Sequence, residues 1–346
     1  MKKRAIALTA IAAAVLVLAG CGQSKKAEKK VLYIYNWTYY IPDDVVQDFE
    51  KELSCEVVYD VFSSNEDMFA KIKAGGSGYD VVFPGADFVS IMIKEGMLEN
   101  LDPAKLPNLK NLDPEILERM TFDPGAKHSV PYFMGATGIV VNKKVVGDYE
   151  KSWSIYDRAD LKNKMTLLDD PRETIGAALK YLGYSVNSVN PEELAKAEAQ
   201  IKKWLKNVLR FDSESFGKGF ATGEYSVVHA FAENVFLELD DAMRPDAEFF
   251  VPKEGGVAYM DCMAILKGAK HLDLAHEFIN YIYRPDIYAR IASYLALPCV
   301  NVPARSLVTT KPNYTEADLA RSELKLDIGD AITLYSDAWK RLRLGD

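Results

Sequence analysis

The sequence is poor in the residues that most often carry catalytic or metal chemistry: among 346 residues there are 4 cysteines and 4 histidines. Cys21, Cys55, Cys262 and Cys299 show no framework spacing, which argues against dependence on disulfides. The last three read as small buried apolar residues. His128 and His229 stand alone, and His271 and His276 lie five apart on a helix, so no zinc or haem spacing exists. GxSxG and HExxH patterns are missing, which leaves little support for a serine hydrolase or metalloprotease. A phosphate-binding loop is missing too, because AGGSG (residues 74–78) lies before a strand rather than after one and reads as a turn. No cofactor and no metal are expected, and an enzyme is not expected either.

Basic residues are the minority, with 42 Lys and Arg against 50 Asp and Glu. Such a balance does not suggest a nucleic-acid partner, and it is compatible with a cationic ligand. The N-terminus is organised separately. MKKR is basic, AIALTAIAAAVLVL is apolar, and LAGC (residues 18–21) supplies small residues before a cysteine. This is the three-part layout of a secretory signal. The run of about 14 apolar residues is too short for a bilayer, where about 20 are needed. LAGC resembles the lipobox of bacterial lipoproteins, in which cleavage leaves a lipid-bearing cysteine, here Cys21, at the new N-terminus; an ordinary signal peptide with an incidental cysteine is the plain alternative. Removing residues 1–20 takes Lys2, Lys3 and Arg4 and leaves 39 basic residues against 50 acidic ones. Residues 21–30 then read as a polar tether.

The remaining chain is 346 residues less its leader, with 49% apolar and 27% charged residues overall, enough for one large or two ordinary domains. VLYIY (31–35), CEVVYDVF (55–62) and YDVVFPG (79–85) predict strands. Between and after them, DDVVQDFEKEL, SSNEDMFAKIKA (with Ser63 and Glu66 spaced as a capping box) and DFVSIMIKEG predict helices. Further strands are expected at 138–142, 164–170, 225–231, 247–252 and 257–266, and helices over 191–209 and in two segments after residue 271. Strand–helix–strand repetition means α/β sheets with crossover helices, and the count fits two α/β lobes.

Ligands of open parallel sheets bind outside the carboxyl ends of the strands. That rule selects Asn36, Trp37, Thr38, Tyr39 and Tyr40 after the first strand, Gly85, Ala86 and Asp87 after the third, and Asp169, Asp170 and Glu173 after the strand near 167. Aromatic faces and carboxylates together suit an alkyl ammonium ion: a ring face attracts a cation by roughly 0.5–2 kcal/mol, and a carboxylate gives charge-assisted hydrogen bonds. Plainer roles compete. Asp170-Pro171-Arg172-Glu173 is also a helix start, and Trp37 and Tyr40 also suit a core. Asp261 lies inside an apolar strand and demands a partner, either a protein donor or a ligand cation. Phe231 and Tyr259 are ambiguous alone.

Taken in order, YNWTYYIP, DDPRE, VPKEGG followed by YMD, and LPCVN resemble the bacterial polyamine-binding proteins that serve ABC importers, over residue 31 to the C-terminus. The resemblance implies a two-lobed periplasmic-binding fold of type II, each lobe a mostly parallel sheet flanked by helices with hinge crossovers. It places residues 31–136 and 261–305 in the first lobe and 137–260 and 306–346 in the second. It implies Trp37, Thr38 and Tyr40 as cleft lining, Asp170 and Glu173 as amine contacts, Phe231 and Tyr259 as walls, and Asp261 as the grip on a terminal ammonium. Departures from the pattern are Tyr39 in a usually acidic slot, Gly85-Ala86-Asp87 in place of a small-polar and tyrosine segment, Leu297 for a tyrosine, and Lys325 for a frequent glutamine. A pocket-facing Lys325 would repel an amine or fill space that a longer polyamine needs, tilting the expectation from spermidine toward putrescine; Lys325 pointing to solvent is the other outcome. The implied partners are a polyamine, an ABC permease with its ATPase, and a membrane reached through lipid on Cys21, in the periplasm. A receptor for a cationic amino acid or ferric ion, a surface hydrolase using Asp170 or Glu173, and a surface adhesion protein are the alternatives.

Overall fold

The computed structural model describes residues 30–75 and 78–344. The signal segment, the lipobox and all but the last residue of the tether lie outside the described residues, as do residues 76 and 77 of the AGGSG turn.

Apolar runs and crossover helices sort into two sheets. The first has the order β11-β10-β3-β1-β2, with β4 also paired to β10. Its strands are β1 (Lys30–Trp37), β2 (Cys55–Phe62), β3 (Val81–Val82), β4 (Ser129–Ala136), β10 (Val257–Ile265) and β11 (Glu323–Leu324). The second has the order β7-β6-β8-β5-β9, built from β5 (Gly138–Asn142), β6 (Met165–Leu167), β7 (Val208–Phe211), β8 (Val227–Ala230) and β9 (Ala247–Phe250). In each sheet a parallel group is joined to antiparallel strands. β1 runs parallel to β3, with Ile34 opposite Val81, while β10 is antiparallel to β3 and β4. β6 runs parallel to β7 and β8, while β5 is antiparallel to β8 and β9. The chain leaves the first sheet between β4 and β5, with only Thr137 between them, and returns to it between β9 and β10.

The helices follow local chemistry. Pro42 leads into the helix Asp43–Leu53, which buries Val45 and Phe49 and closes on Ser54 in the left-handed conformation. Asp170 caps the helix Pro171–Tyr181 by accepting the backbone N–H groups of Arg172 and Glu173. Three expectations change in detail. Ser64 rather than Ser63 caps the helix Asn65–Lys73, accepting from Asp67 N. The third strand is only Val81–Val82, because Pro84 and the following loop turn away to meet β10. The helix expected over 191–209 stops at Trp204, and Val208 to Phe211 become β7.

One apolar core surrounds the first sheet and continues into the second through Leu168, Val228 and Phe249. The other fills the far face of the second sheet around Trp153, Trp204 and Tyr335. Tyr335 anchors the C-terminal helix Ile332–Leu344 there, its hydroxyl donating to Ser188 O at 2.8 Å. Among the described residues no helix is long and apolar enough to cross a membrane.

Candidate functional site

Four strand ends converge with β10 and β11. β1 runs out into residues 36–40, β3 into 85–87, β6 into 169–173 and β8 into 231–233. In the ladder between β10 and β4 the register shifts between Asp261 and Cys262, a bulge of the kind that re-aims a side chain. Gly85 bridges to Asp261, and Cys262 N donates to Pro84 O at 2.9 Å, so the loop after β3 is zipped onto this bulge.

At this end the partner demanded by Asp261 is a hydroxyl. Tyr40 Oη donates to Asp261 Oδ2 at 2.7 Å, and both residues are buried. Tyr40 is itself fixed, since its carbonyl accepts from Tyr132 Oη at 2.7 Å and its ring lies edge-on to Tyr132. Tyr259 Oη donates to Glu233 Oε1 at 3.2 Å, and the Tyr259 ring packs edge-on against Phe231, centroids 5.5 Å apart. Burial pushes the carboxyls of Asp261 and Glu233 up to about 7 each. The Tyr40 hydroxyl restrains the Asp261 shift by favouring its charged form, while the charge of Glu233 adds to it. Neither acid forms an ion pair among the described residues, although Lys325 acts on Asp261 through space.

The other end holds its own cation. Glu173 is fully buried, with Lys325 Nζ on Oε1 at 2.8 Å and Thr137 Oγ1 donating to Oε2 at 2.8 Å. Burial raises the Glu173 carboxyl, and Lys325 opposes that rise; the carboxylates of Glu173, Asp170 and Asp87 raise the Lys325 ammonium. Lys325 therefore turns inward onto Glu173 and not to solvent, its side chain 14% exposed. The cause is tertiary: Lys325 N donates to Ala258 O, extending the β11–β10 ladder by one residue. From the helix Pro171–Tyr181 Arg172 donates to Leu326 O at 3.1 Å, and Asn187 Oδ1 accepts from Leu326 N at 2.9 Å. A residue opposite Tyr259 in this register shares the sheet face of Tyr259 and Asp261.

The other expected site residues divide. Trp37 is half-buried, its indole N–H donating to Phe83 O at 2.9 Å and its ring against Phe62, so it is part wall and part core. Gly85 and Asp87 are buried at the bulge, with Asp87 Oδ1 accepting from Phe88 N. Asp170 is half-buried and serves as the helix cap. Thr38 is exposed, and Tyr39, at φ 57° and 72% exposed, does not join the buried group. Leu297 is fully buried in the first core.

Sequence reasoning passed over Glu233, Thr137 and Glu66. Glu233 lies two residues beyond Phe231, where the strand-end rule would have found it. Thr137 left no signal, because its role depends on the crossing between sheets. Glu66 was read only as a cap. It opens the helix Asn65–Lys73 on the exposed side, and desolvation by its neighbours, with Asp170 and Asp87, raises its carboxyl while Lys325 opposes.

Two α/β sheets joined by crossing strands, with strand ends of both facing buried acids and rings, define a two-lobed solute-binding fold of the type II periplasmic kind. The chain belongs to the bacterial extracellular solute-binding protein family, whose model matches residues 44–320. It is similar to the spermidine/putrescine-binding periplasmic protein of Salmonella typhimurium, 36% identical over 343 residues and covering 97% of each chain. Among solved structures it is similar to the TpPotD lipoprotein of Treponema pallidum, at 44% identity and a TM-score of 0.89, covering 91% of this chain and 100% of that one. It is also similar to the spermidine/putrescine ABC transporter substrate-binding protein PotD of Streptococcus pneumoniae, at 29% identity and a TM-score of 0.80, covering 91% and 99%.

Proposed function

We propose that this protein is the receptor of an ABC importer for a linear polyamine, closing two lobes around it and presenting it to a membrane permease. The observation that carries this reading is the Asp261–Glu233 end of the cleft: two buried acids, bounded by Tyr40, Phe231 and Tyr259, with hydroxyls for partners and no ion pair among the described residues. Burying an acid without a cation is costly, and an alkyl ammonium supplies the missing charge while its methylenes lie along the rings. Spermidine and putrescine, for which the relatives are named, have this chemistry.

Within this class the reading favours putrescine. Lys325 brings an ammonium of its own to Glu173, occupying room that a third amine of spermidine would use. Thr38, Tyr40, Trp37, Gly85, Asp87, Asp170, Glu173, Phe231, Tyr259, Asp261, Leu297 and Lys325 are the residues proposed to contact or shape the ligand site, with Tyr39 at its rim. The lobes are proposed as 31–136 with 261–305, and 137–260 with 306–346, although β11 and the start of β10 pair into the first sheet. Calorimetric titration with putrescine, cadaverine, spermidine, spermine and arginine tests the reading. Stoichiometric binding led by putrescine supports it; a response to arginine alone, or to none of the five, refutes it.

LAGC supports a periplasmic lipoprotein anchored through Cys21. Mass analysis of the N-terminal peptide from membranes should find acyl mass on Cys21, and an unmodified or differently cleaved terminus would refute the anchor.

A further inference from the structure

The unusual atom in the cleft is Glu233 Oε2, which is buried and has no hydrogen-bond partner. The whole residue is 8% exposed, and its other oxygen accepts from Tyr259 Oη at 3.2 Å. An unsatisfied buried polar atom carries its full desolvation penalty, larger still when it is charged. Such an atom is uncommon without a use. The titratable groups that act on or are acted on by this carboxyl are Tyr40, Tyr259, Tyr314 and Asp261, and none is a cation. Tyr259 and Tyr314 are both committed there: Tyr259 donates to Glu233, and Tyr314 Oη accepts from Ala136 N at 3.1 Å.

Glu233 follows β8 of the second sheet, whereas Asp261 lies on β10 of the first. Each acid has one oxygen engaged by a tyrosine hydroxyl. Resting on the polyamine reading above, we propose that Glu233 is a ligand-contact residue whose unpartnered oxygen takes the same ammonium as Asp261, so that one primary ammonium is held between carboxylates from the two lobes. A primary ammonium has three N–H donors and can serve both acids with one left for a neighbouring oxygen. A fully methylated ammonium has none. This contact also ties ligand capture to closure, since the cation has both carboxylates only when the lobes meet around it.

The test uses the full-length protein and putrescine. Glu233→Gln keeps the shape and removes the charge, and loss of a charge-assisted hydrogen bond worth about 1.5–3 kcal/mol corresponds to about a 10–100-fold weaker putrescine affinity. Calorimetry near pH 7 in two buffers of different ionisation enthalpy should show protons released as putrescine binds the unaltered protein, and fewer released by Glu233→Gln. Replacing putrescine by its analogue with both amines fully methylated should abolish measurable binding. Unaltered protein that binds putrescine, with Glu233→Gln binding within two-fold and releasing as many protons, overturns the assignment and leaves the polyamine reading intact. Unaltered protein that ignores putrescine overturns both. If Glu233→Gln does not fold, Glu233→Asp, which keeps the charge but withdraws it by one methylene, decides the matter: at least a 5-fold loss supports the contact, and unchanged affinity overturns it.

Discussion

At one end of the cleft Glu173 is wholly buried and has Lys325 and Thr137 on its two oxygens; at the other, Asp261 and Glu233 are nearly as buried and have tyrosine hydroxyls in place of a cation. The same residue type meets the same desolvation cost by two routes. A carboxylate with a built-in cation belongs to the permanent structure, because the pair holds β11 and the crossing at Thr137 to the helix Pro171–Tyr181. A carboxylate with hydroxyls alone is held short of full charge at neutral pH and is ready to receive a cation. On the reading proposed above, the contrast separates the part of the site that sets ligand length from the part that captures charge.

Removing the internal cation should give the largest effect. Lys325→Met leaves Glu173 buried without its partner, and breaking such a pair costs about 3–5 kcal/mol. Denaturant unfolding of the ligand-free protein should show a loss of that size. The same variant should shift the spermidine-to-putrescine affinity ratio upward by about 10-fold, equivalent to about 1.4 kcal/mol. A fully stable Lys325→Met with an unchanged ratio would erase the distinction between the two ends.

Asp261→Asn strikes the capturing end. It should weaken putrescine binding by about 100-fold, near 3 kcal/mol, within the range for losing a buried charge partner. Stability without ligand should change far less than in Lys325→Met, since no ion pair is lost. An Asp261→Asn variant that unfolds as readily as Lys325→Met would place both acids in the structural class.

The two ends also differ in their response to pH. Burial raises Asp261 from 3.8 and Glu233 from 4.5 to about 7 in the folded protein. Folded-state values above unfolded ones mean that the native protein keeps protons which the unfolded chain releases. The resulting stability is complete below about pH 4 and is lost as pH rises toward 7. Ligand-free protein should thus lose on the order of 2 kcal/mol from each of these groups between pH 5 and 8, read as a falling melting temperature. Saturating putrescine should flatten that slope, because the bound cation favours the charged forms. A slope of the same steepness with and without ligand would mean that neither acid receives it.

The legible part of the molecule was what local pattern decides. β2 and β5 coincide with the expected apolar runs at 55–62 and 138–142, and Asp170 caps its helix as its neighbours Pro171 and Glu173 require. β7 was hidden because Val208 and Leu209 continue the apolar period of the preceding helix without a breaker. β4 was hidden because Pro131 and Gly135 interrupt SVPYFMGA, although the whole strand is buried against β10. The strand-end rule selected Asp87, Asp170 and Glu173 from order alone, and the structure brings all three to act on Lys325. The direction of Lys325 was open in the sequence, since Arg172 and Asn187, more than a hundred positions away in the chain, fix the backbone beside it.

Gly135 offers the finest test of the capturing end, because it leaves every acid in place. It sits in β4 opposite Tyr259, and a Cβ there would overlap the hydroxyls of both Tyr259 and Tyr314. Neither ring has room to retreat freely: Tyr259 packs on Phe231, and Tyr314 on Phe249. Gly135→Ala should therefore displace the Tyr259 hydroxyl from Glu233 while leaving Lys325 on Glu173. Its expected cost is about 1 kcal/mol in putrescine binding, the worth of one hydrogen bond, or about 5-fold in affinity, with little change in the spermidine-to-putrescine ratio. Since overpacking can also destabilise by about 1–3 kcal/mol, Tyr259→Phe serves as the control that removes the hydroxyl without adding bulk. If both variants weaken putrescine alike, the hydroxyl of Tyr259 is what holds Glu233 in place; if only Gly135→Ala does, the effect is crowding of the strand and not a property of the capturing end.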